Sequence, residues 1–392
     1  MKLYFFIEAR FIKGTDGNYY NPGGAQKLDL FKRYLEIFCE VVVVARVRYD
    51  VNYQIYNDDI VNGDSINVFE LAYYLGPLQY LAKRKLLRKS IQSILQRGNA
   101  YILRLPGNIG NLAASYLIKH DIPYAVEVVG DPFDLFSKQG VKHPLRWFFQ
   151  NRLTAKLKRN VFCSQANLYV TENALQKRYP SNYNVFNIGV SDVKISSRDL
   201  NFTNKVISDE VVIISIGTLE QMYKGPDILI RVVATLRSKG VNCRLRWIGT
   251  GKFLEDMQKL SKELNIDDRV EFLGYISDRN LINKALDESD IFVLASRTEG
   301  LPRVILEAFA RGMAVVASRV GGIPELVEEK FMFENENEDE LVNILGEIIN
   351  SHDVFEESRR RNYAKALDYL EEKLDSQRLL FFKEVFRTTG NH

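Results

Sequence analysis

The stretch IFVLASRTEGLPRVILEAFARGMAVVAS, residues 291–318, reads as strand, turn, helix and strand. IFVLAS (291–296) and MAVVAS (313–318) are short apolar runs of strand length. Between them, Pro302 fits the first turn of a helix, where a missing N–H costs nothing. Strand, helix and strand in that order make the repeating unit of a parallel sheet.

The same alternation runs outward. EVVIISIG (210–217), RLRWIG (244–249) and VEFLG (270–274) read as strands, and KGPDILIRVVATLRSKG (224–240) as a helix between the first two. Each strand ends at a Gly, Ser or Thr near its turn into a helix. Ligands of such sheets bind beyond the carboxyl ends of the strands. The N-terminal half holds a first series: LYFFIEA (3–9), EVVVVAR (40–46), YILRL (101–105), YAVEVV (124–129) and LYVT (168–171). There NPGG (21–24) opens a helix, AQKLDLFKRYLEIF (25–38). The polar, aperiodic SDVKISSRDLNFTNK (191–205) reads as the link between the two series. ENENEDE (334–340) reads as a solvated loop leading into a helix.

At 392 residues the chain is long for one core. The expectation is therefore α/β architecture in two Rossmann-like, doubly wound parallel-sheet domains, residues 1–190 and 191–370. The final segment, LDYLEEKLDSQRLLFFKEVF (367–386), is expected to form a helix returning to the N-domain over 371–392.

Composition excludes several classes. Hydrophobic content of 46% and charged content of 26% are those of an ordinary soluble globular protein. Cys39, Cys163 and Cys243 are widely spaced and odd in number, with no zinc or disulfide pattern, which suits a reducing compartment. MKLYFFIEARF is no signal peptide, because its apolar run is short and broken by Glu8 and Arg10. No stretch is long and apolar enough to span a bilayer. A cytoplasmic protein, free or peripheral on the inner face of the membrane, is expected.

The net charge of +3 hides an asymmetry. Residues 1–190 hold 25 Lys+Arg and 15 Asp+Glu, and the remainder 28 and 35. Two basic runs, 78–97 and 138–159, contain no acid, and the second carries Trp147, Phe148 and Phe149. Such stretches suit an anionic membrane surface, nucleic acid, or simply a solvated helix face.

Glu299 and Glu307 give the first stretch its chemistry. Glu299 falls in the strand-to-helix loop, and Glu307 lies about one and a half turns further on. Gly300 and the helix N-terminus offer free N–H groups to an anion. A carboxylate repels phosphate but accepts two O–H hydrogen bonds from a diol. Two carboxylates beside a phosphate-binding helix end suggest a ligand with phosphates in the middle and sugars on both sides. That is a nucleotide sugar. Against this stands the bland reading that two glutamates eight apart are common on helices.

The longer segment SRTEGLPRVILEAFARGMAVVASRVGGIPELV (296–327) closely resembles the donor-site signature of family 4 glycosyltransferases. These have the GT-B fold, two Rossmann-like domains facing a central cleft. Similarity continues through IGTLEQMYKGPDILI (216–230), WIGTG (247–251) and EFLGYIS (271–277), and more weakly through NPGGAQ (21–26) and VTENAL (170–175).

The resemblance implies retaining transfer of a sugar from a nucleotide diphosphate sugar, a UDP- or GDP-hexose, to a hydroxyl of a glycan or lipid-linked acceptor. It implies that Glu299 contacts the donor sugar and Glu307 holds the ribose diol. Gly300 and Leu301 match the loop whose amides meet sugar and phosphate, and Lys224 matches a lysine on the diphosphate. Gly274, Tyr275 and Ile276 match the loop beside the nucleobase. Gly23 and Gly24 match the turn of the first domain that closes over the phosphates. Gly321 and Gly322 read as turn residues.

Two departures stand out. Thr218 and Leu219 occupy the place where many relatives carry a second diphosphate-binding arginine, so either Lys224 acts alone or another base such as Arg303 helps. In PYAVEVVGD (123–131), Val129 replaces the histidine that often ends the strand before the acceptor site. Glu127 and Asp131 are the nearest ionisable groups. Asp131 either orients a substrate, as a catalytic-site residue, or caps the next element. No Asp-x-Asp occurs and His120, His143, His352 and His392 are scattered, so no metal or other cofactor is expected. The departing phosphate oxygen can take the acceptor proton itself in such retaining enzymes.

The basic N-terminal half suggests a lipid-linked or anionic acceptor and assembly of a bacterial surface polysaccharide. Nucleic acid would explain the basic runs but not the carboxylates, and is not expected as a partner. The fold also serves sugar phosphorylases and nucleotide-sugar epimerases, but no frame for a phosphorylase site is visible. A non-catalytic scaffold partnering an active transferase is the alternative from another class.

Overall fold

A computed structural model describes residues 1–22, 24, 26–135 and 146–390. The chain divides into two compact units: Met1–Val190 with Asp375–His392, and Ser191–Leu374.

Among the described residues the first unit has eight strands: β1 (Lys2–Lys13), β2 (Tyr19–Tyr20), β3 (Glu40–Tyr49), β4 (Ile66–Ala72), β5 (Ala100–Leu105), β6 (Ala125–Val128), β7 (Ala166–Tyr169) and β8 (Phe186–Gly189). Their order is β4-β3-β1-β5-β6-β7-β8, all parallel, with β2 pairing antiparallel to β1. Val41 to Val47 of β3 are buried without alternation, as parallel strands covered on both faces must be. The helices are α1 (Leu28–Lys32), α2 (Gly76–Gln92), α3 (Asn108–Lys119), α4 (Pro132–Leu135), α5 (Arg146–Phe162) and α6 (Ala174–Arg178).

The helix expected over 25–38 is shorter. It begins at Leu28 and tightens into a 3-10 turn at Arg33–Glu36. The Asn21 amide donates to the Gln26 carbonyl at 3.1 Å, and the Leu28 N–H to the Ile60 carbonyl at 2.8 Å. These bonds anchor both sides of the segment outside helical geometry. Strands β4 and β8, absent from the sequence reading, pair at the two edges of the sheet.

The second unit holds β9 (Val211–Ile216), β10 (Cys243–Ile248), β11 (Val270–Gly274), β12 (Ile291–Leu294), β13 (Ala314–Ser318) and β14 (Met332–Phe333). Its helices are α7 (Pro226–Ser238), α8 (Leu254–Glu263), α9 (Arg279–Asp287), α10 (Arg303–Ala310), α11 (Glu338–Asn350) and α12 (His352–Ala366). The sheet is parallel, in the order β11-β10-β9-β12-β13-β14. The order reverses between β9 and β12, so the turns leaving these neighbours diverge and open a crevice at their carboxyl ends. Those two turns carry Lys224 and Glu299.

Residues 191–205 are more than a link. Asn201 N–H donates to the Ala310 carbonyl at 2.8 Å, and the Arg359 guanidinium to the Thr203 carbonyl at 2.6 Å. The segment is polar because its polar groups have partners in the second unit. The last helix, α13 (Glu371–Gly390), passes into the first unit at Asp375. There Phe382 stacks 4.5 Å from Tyr34, and Phe386 lies 6.1 Å from Phe38. Among the described residues no helix is long and apolar enough to cross a membrane.

Candidate active site

The turn after β9 runs through Gly217 to a 3-10 turn, Met222–Lys224, which Gly225 closes in the left-handed conformation before α7. A side chain at Gly217 would come within 2.8 Å of Lys224 Cγ, so the bare glycine gives the lysine stem its path. Lys224 Nζ lies 2.5 Å from Glu299 Oε1. Ser296, two residues past the end of β12, donates to the same oxygen at 2.6 Å. Both members of the ion pair are nearly buried, with side chains 12% and 9% exposed.

Glu307 sits on α10, 7% exposed. Arg279, the first residue of α9, donates to its Oε1, and Arg303 Nε lies 3.0 Å from the same atom. Arg279 in turn grips Asp199 through two bonds of 3.1 and 3.3 Å, and Asn283 donates to Asp199 at 3.1 Å. Burial opposes the Asp199 charge, but the bonds from Arg279 and Asn283 outweigh it and hold the carboxyl below its ordinary range. Asp278 caps α9 by accepting from the Asn280 N–H at 2.8 Å, which fixes where Arg279 starts. Among the described residues, every contact to the Glu299 and Glu307 carboxylates is made through Oε1. Each glutamate is thus held by one oxygen and leaves the other uncommitted.

A half-buried frame supports the pair. Arg297 meets Asp227 at 3.0 and 2.9 Å, a fork that satisfies both carboxylate oxygens, and also donates to the Met222 carbonyl at 2.6 Å. Its own N–H reaches the Tyr223 carbonyl at 2.7 Å. Arg297 therefore ties the Glu299 loop to the Lys224 turn. Gly321, in the left-handed region, sits where a side chain would fall 1.9 Å from the Glu299 carbonyl, and the Gly322 N–H donates to the Gly300 carbonyl at 2.8 Å. The Gly-Gly turn is a buttress behind the loop.

A prediction follows from Asp227. Burial works to raise its pKa, but Arg297 and Arg231 outweigh it and hold the carboxyl below the ordinary 3.8. The stability this ionised form contributes is fully present above that ordinary value and is lost as pH falls through the lowered one. The thermal midpoint of the wild type is expected to fall as pH drops below about 4. Asp227→Asn is expected to be less stable by about 2–3 kcal/mol, for a broken, mostly buried pair, so its midpoint starts lower and falls less steeply in that window. An unchanged midpoint at neutral pH would remove Asp227 from the frame.

The other expected residues fall as follows. Gly300 is exposed with open space where a side chain would project, and Leu301 is half-buried before α10. Gly274 ends β11 with its carbonyl accepting from the Gly249 N–H at 2.8 Å. Tyr275 is exposed and Ile276 half-buried. Arg303 is directed to Glu307. Gly24, in the first unit, packs against the Asn21 side chain, while Gly23 lies outside the described residues.

Asp131 accepts from the Phe133 N–H at 2.8 Å, capping α4, and also from Arg178 and Tyr179. Glu127 is buried, accepting from Tyr34 and Arg104 at 2.7 Å each. Both acids are engaged within their own unit. Sequence reasoning missed Arg279, Ser296, Arg297 and Asp199. The cap signal at Asp278 marks the start of α9, but nothing local names the partner of Arg279. A separate cavity of about 550 Å³ lined by Tyr124 and Gln165 opens at the amino ends of β6 and β7, away from the strand-to-helix turns.

The family described as Glycosyl transferases group 1 matches residues 197–367, which contain all of this constellation. The chain carries a group 1 glycosyltransferase domain. CapJ of Staphylococcus aureus is 28% identical over 98% of this chain and 96% of its own length. The lipopolysaccharide core biosynthesis glycosyltransferase LpsE of Rhizobium meliloti is 36% identical, but over 28% of this chain and 30% of LpsE. Among solved structures, Anabaena HepE in complex with UDP covers 96% of this chain and 98% of HepE, with a TM-score of 0.63 at 18% identity. At that identity the likeness fixes the fold, and the fold is GT-B. This group 1 domain holds Glu299, Glu307 and Lys224 around the switch point of its sheet.

Proposed function

We propose that the second unit binds a nucleotide diphosphate hexose, with UDP or GDP as the nucleotide, and that the protein transfers the hexose with retention to a hydroxyl of a glycan or lipid-linked acceptor. One observation carries this reading. Two glutamates flank the start of α10, each anchored by a cation through one oxygen and each with the other oxygen uncommitted. That arrangement suits hydroxyl pairs on both sides of a diphosphate.

In this reading Glu307 accepts the ribose diol and Glu299 accepts hydroxyls of the hexose. Lys224 and the free amides at Gly300 and Leu301 face the diphosphate and take up the charge that develops as it departs, without a metal. Gly274, Tyr275 and Ile276 border the nucleobase. The acceptor oxygen bonds to the anomeric carbon as the bond from that carbon to the phosphate oxygen breaks. The same phosphate oxygen takes the acceptor proton. Asp131 is occupied as a cap and ion-pair partner, so we assign it to holding the acceptor-side loop rather than to proton transfer. The name of LpsE and the basic charge of the first unit support an acceptor in surface polysaccharide assembly at the inner membrane face.

The test is a metal-free calorimetric and nucleotide-release screen of UDP-, GDP- and ADP-hexoses. One donor is expected to bind and slowly release its nucleotide diphosphate. Binding of none would leave a non-catalytic scaffold as the better reading.

A further inference from the structure

Two helices of the first unit, α2 and α5, contain no acidic residue. The first holds Lys83, Arg84, Lys85, Arg88 and Lys89, and the second Arg146, Arg152, Lys156, Lys158 and Arg159. Both pack on α3, sending Leu87 and Ile91, and Leu157 and Val161, into one core. They are close enough to sense each other. Burial, then Arg84 across on α2, then Arg152 and Arg159, hold the Lys156 ammonium pKa below its usual value. None of the ten cations has an acidic partner among the described residues. In the second unit, by contrast, Arg231, Arg246, Arg269, Arg297 and Arg319 each hold an acid.

Apolar side chains stand outward beside these cations. On α2, Leu78 and Leu81 are 81% and 61% exposed, and Leu86 joins them. On α5, Trp147 is 73% exposed and Phe148 also faces out. Phe133 and Leu135 of α4 are exposed as well, and α4 is fastened to α5 by Gln150, which donates to the Phe133 carbonyl at 2.7 Å. A merely solvated face explains the charge but not the exposed leucines and tryptophan. Single-stranded nucleic acid would use aromatics for stacking but has no use for leucines. A bilayer interface uses all three: cations for anionic headgroups, tryptophan at the headgroup level and leucines towards the acyl boundary.

We propose that the face of the first unit formed by α2, α4 and α5 docks on an anionic lipid surface. This deepens the acceptor part of the proposed function, because a lipid-linked acceptor lies in such a surface, but its residues belong to the first unit alone.

The test is flotation of the full chain with phosphatidylcholine vesicles, with and without phosphatidylglycerol. The protein is expected to float only with the anionic vesicles and to be released by high salt. The triple variant Lys83→Glu, Arg84→Glu, Lys85→Glu is expected to partition at least about 100-fold more weakly, since each surface cation contributes about fivefold. Leu78→Ser, Leu81→Ser, Trp147→Ser is expected to weaken flotation with every charge retained. Equal flotation with neutral vesicles, no flotation, or unchanged variants would overturn the proposal. So would an oligonucleotide that binds more tightly than the vesicles. Donor binding by both variants, measured without lipid, keeps the two readings apart: its loss in the wild type sinks the transferase reading and leaves the docking face standing.

Discussion

Glu307→Ala is expected to bind its nucleotide about 150-fold more weakly than the wild type. A carboxylate accepting two hydroxyl donors gains about 1.5 kcal/mol from each at the lower end of charged hydrogen bonds, and about 3 kcal/mol is that factor. Little of the loss comes from damage to the fold. Arg279 keeps its two bonds to Asp199 when the glutamate is removed, and Arg303 is 63% exposed, so neither cation is stranded in the interior. Glu307→Gln keeps an acceptor oxygen and should fall between, at about tenfold. The free nucleoside diphosphate should lose the same factor as the whole donor, because the ribose belongs to both. Isothermal titration with each ligand reads this directly. A loss confined to the intact donor would move Glu307 from the ribose to the sugar, and a loss under threefold would remove it from the site.

The fold was legible where periodicity is local and strong. IFVLAS, EVVIISIG and EVVVVAR are apolar without alternation, and each is a buried strand of a parallel sheet. INVFELA mixes exposed and buried positions because β4 lies at an edge, and it was missed for that reason. Polar, aperiodic composition misled at 191–205, since it looks the same in a solvated link and in a segment whose polar groups have tertiary partners. The site divides in the same way. Glu299, Glu307 and Lys224 stand in a long, specific signature. Their supports do not: Asp199 and Arg279 are 80 residues apart, and Asp227 and Arg297 are 70. No spacing rule links residues that meet only in the folded unit, as Asp227 and Arg297 do once β9 and β12 become neighbours. Asp131 fits both roles by sequence, and only its contacts with Phe133, Arg178 and Tyr179 favour the structural one.

Lys224→Met is expected to cut turnover by about 10²–10³ while weakening donor binding by less than tenfold. The reason lies in when its charge is needed. Without donor, Lys224 neutralises Glu299, a carboxylate only 9% exposed. The diphosphate then gains charge as the sugar departs, and a fixed ammonium at that point stabilises the transition state more than the ground state. Methionine keeps the stem that crosses Gly217 and removes the charge. It also leaves Glu299 with Ser296 but no cation, so the thermal midpoint should fall. A loss of turnover alone would therefore not separate a catalytic cation from a structural one. The second change, Glu299→Gln in the Lys224→Met background, does. Neutralising both partners should restore the midpoint, because no uncompensated charge remains near the pair. It should not restore turnover, because the diphosphate still lacks its counter-charge and the sugar has lost an anionic acceptor. Recovery of both together would mean that Lys224 serves only to neutralise Glu299, and that the leaving diphosphate depends on the amides at the start of α10.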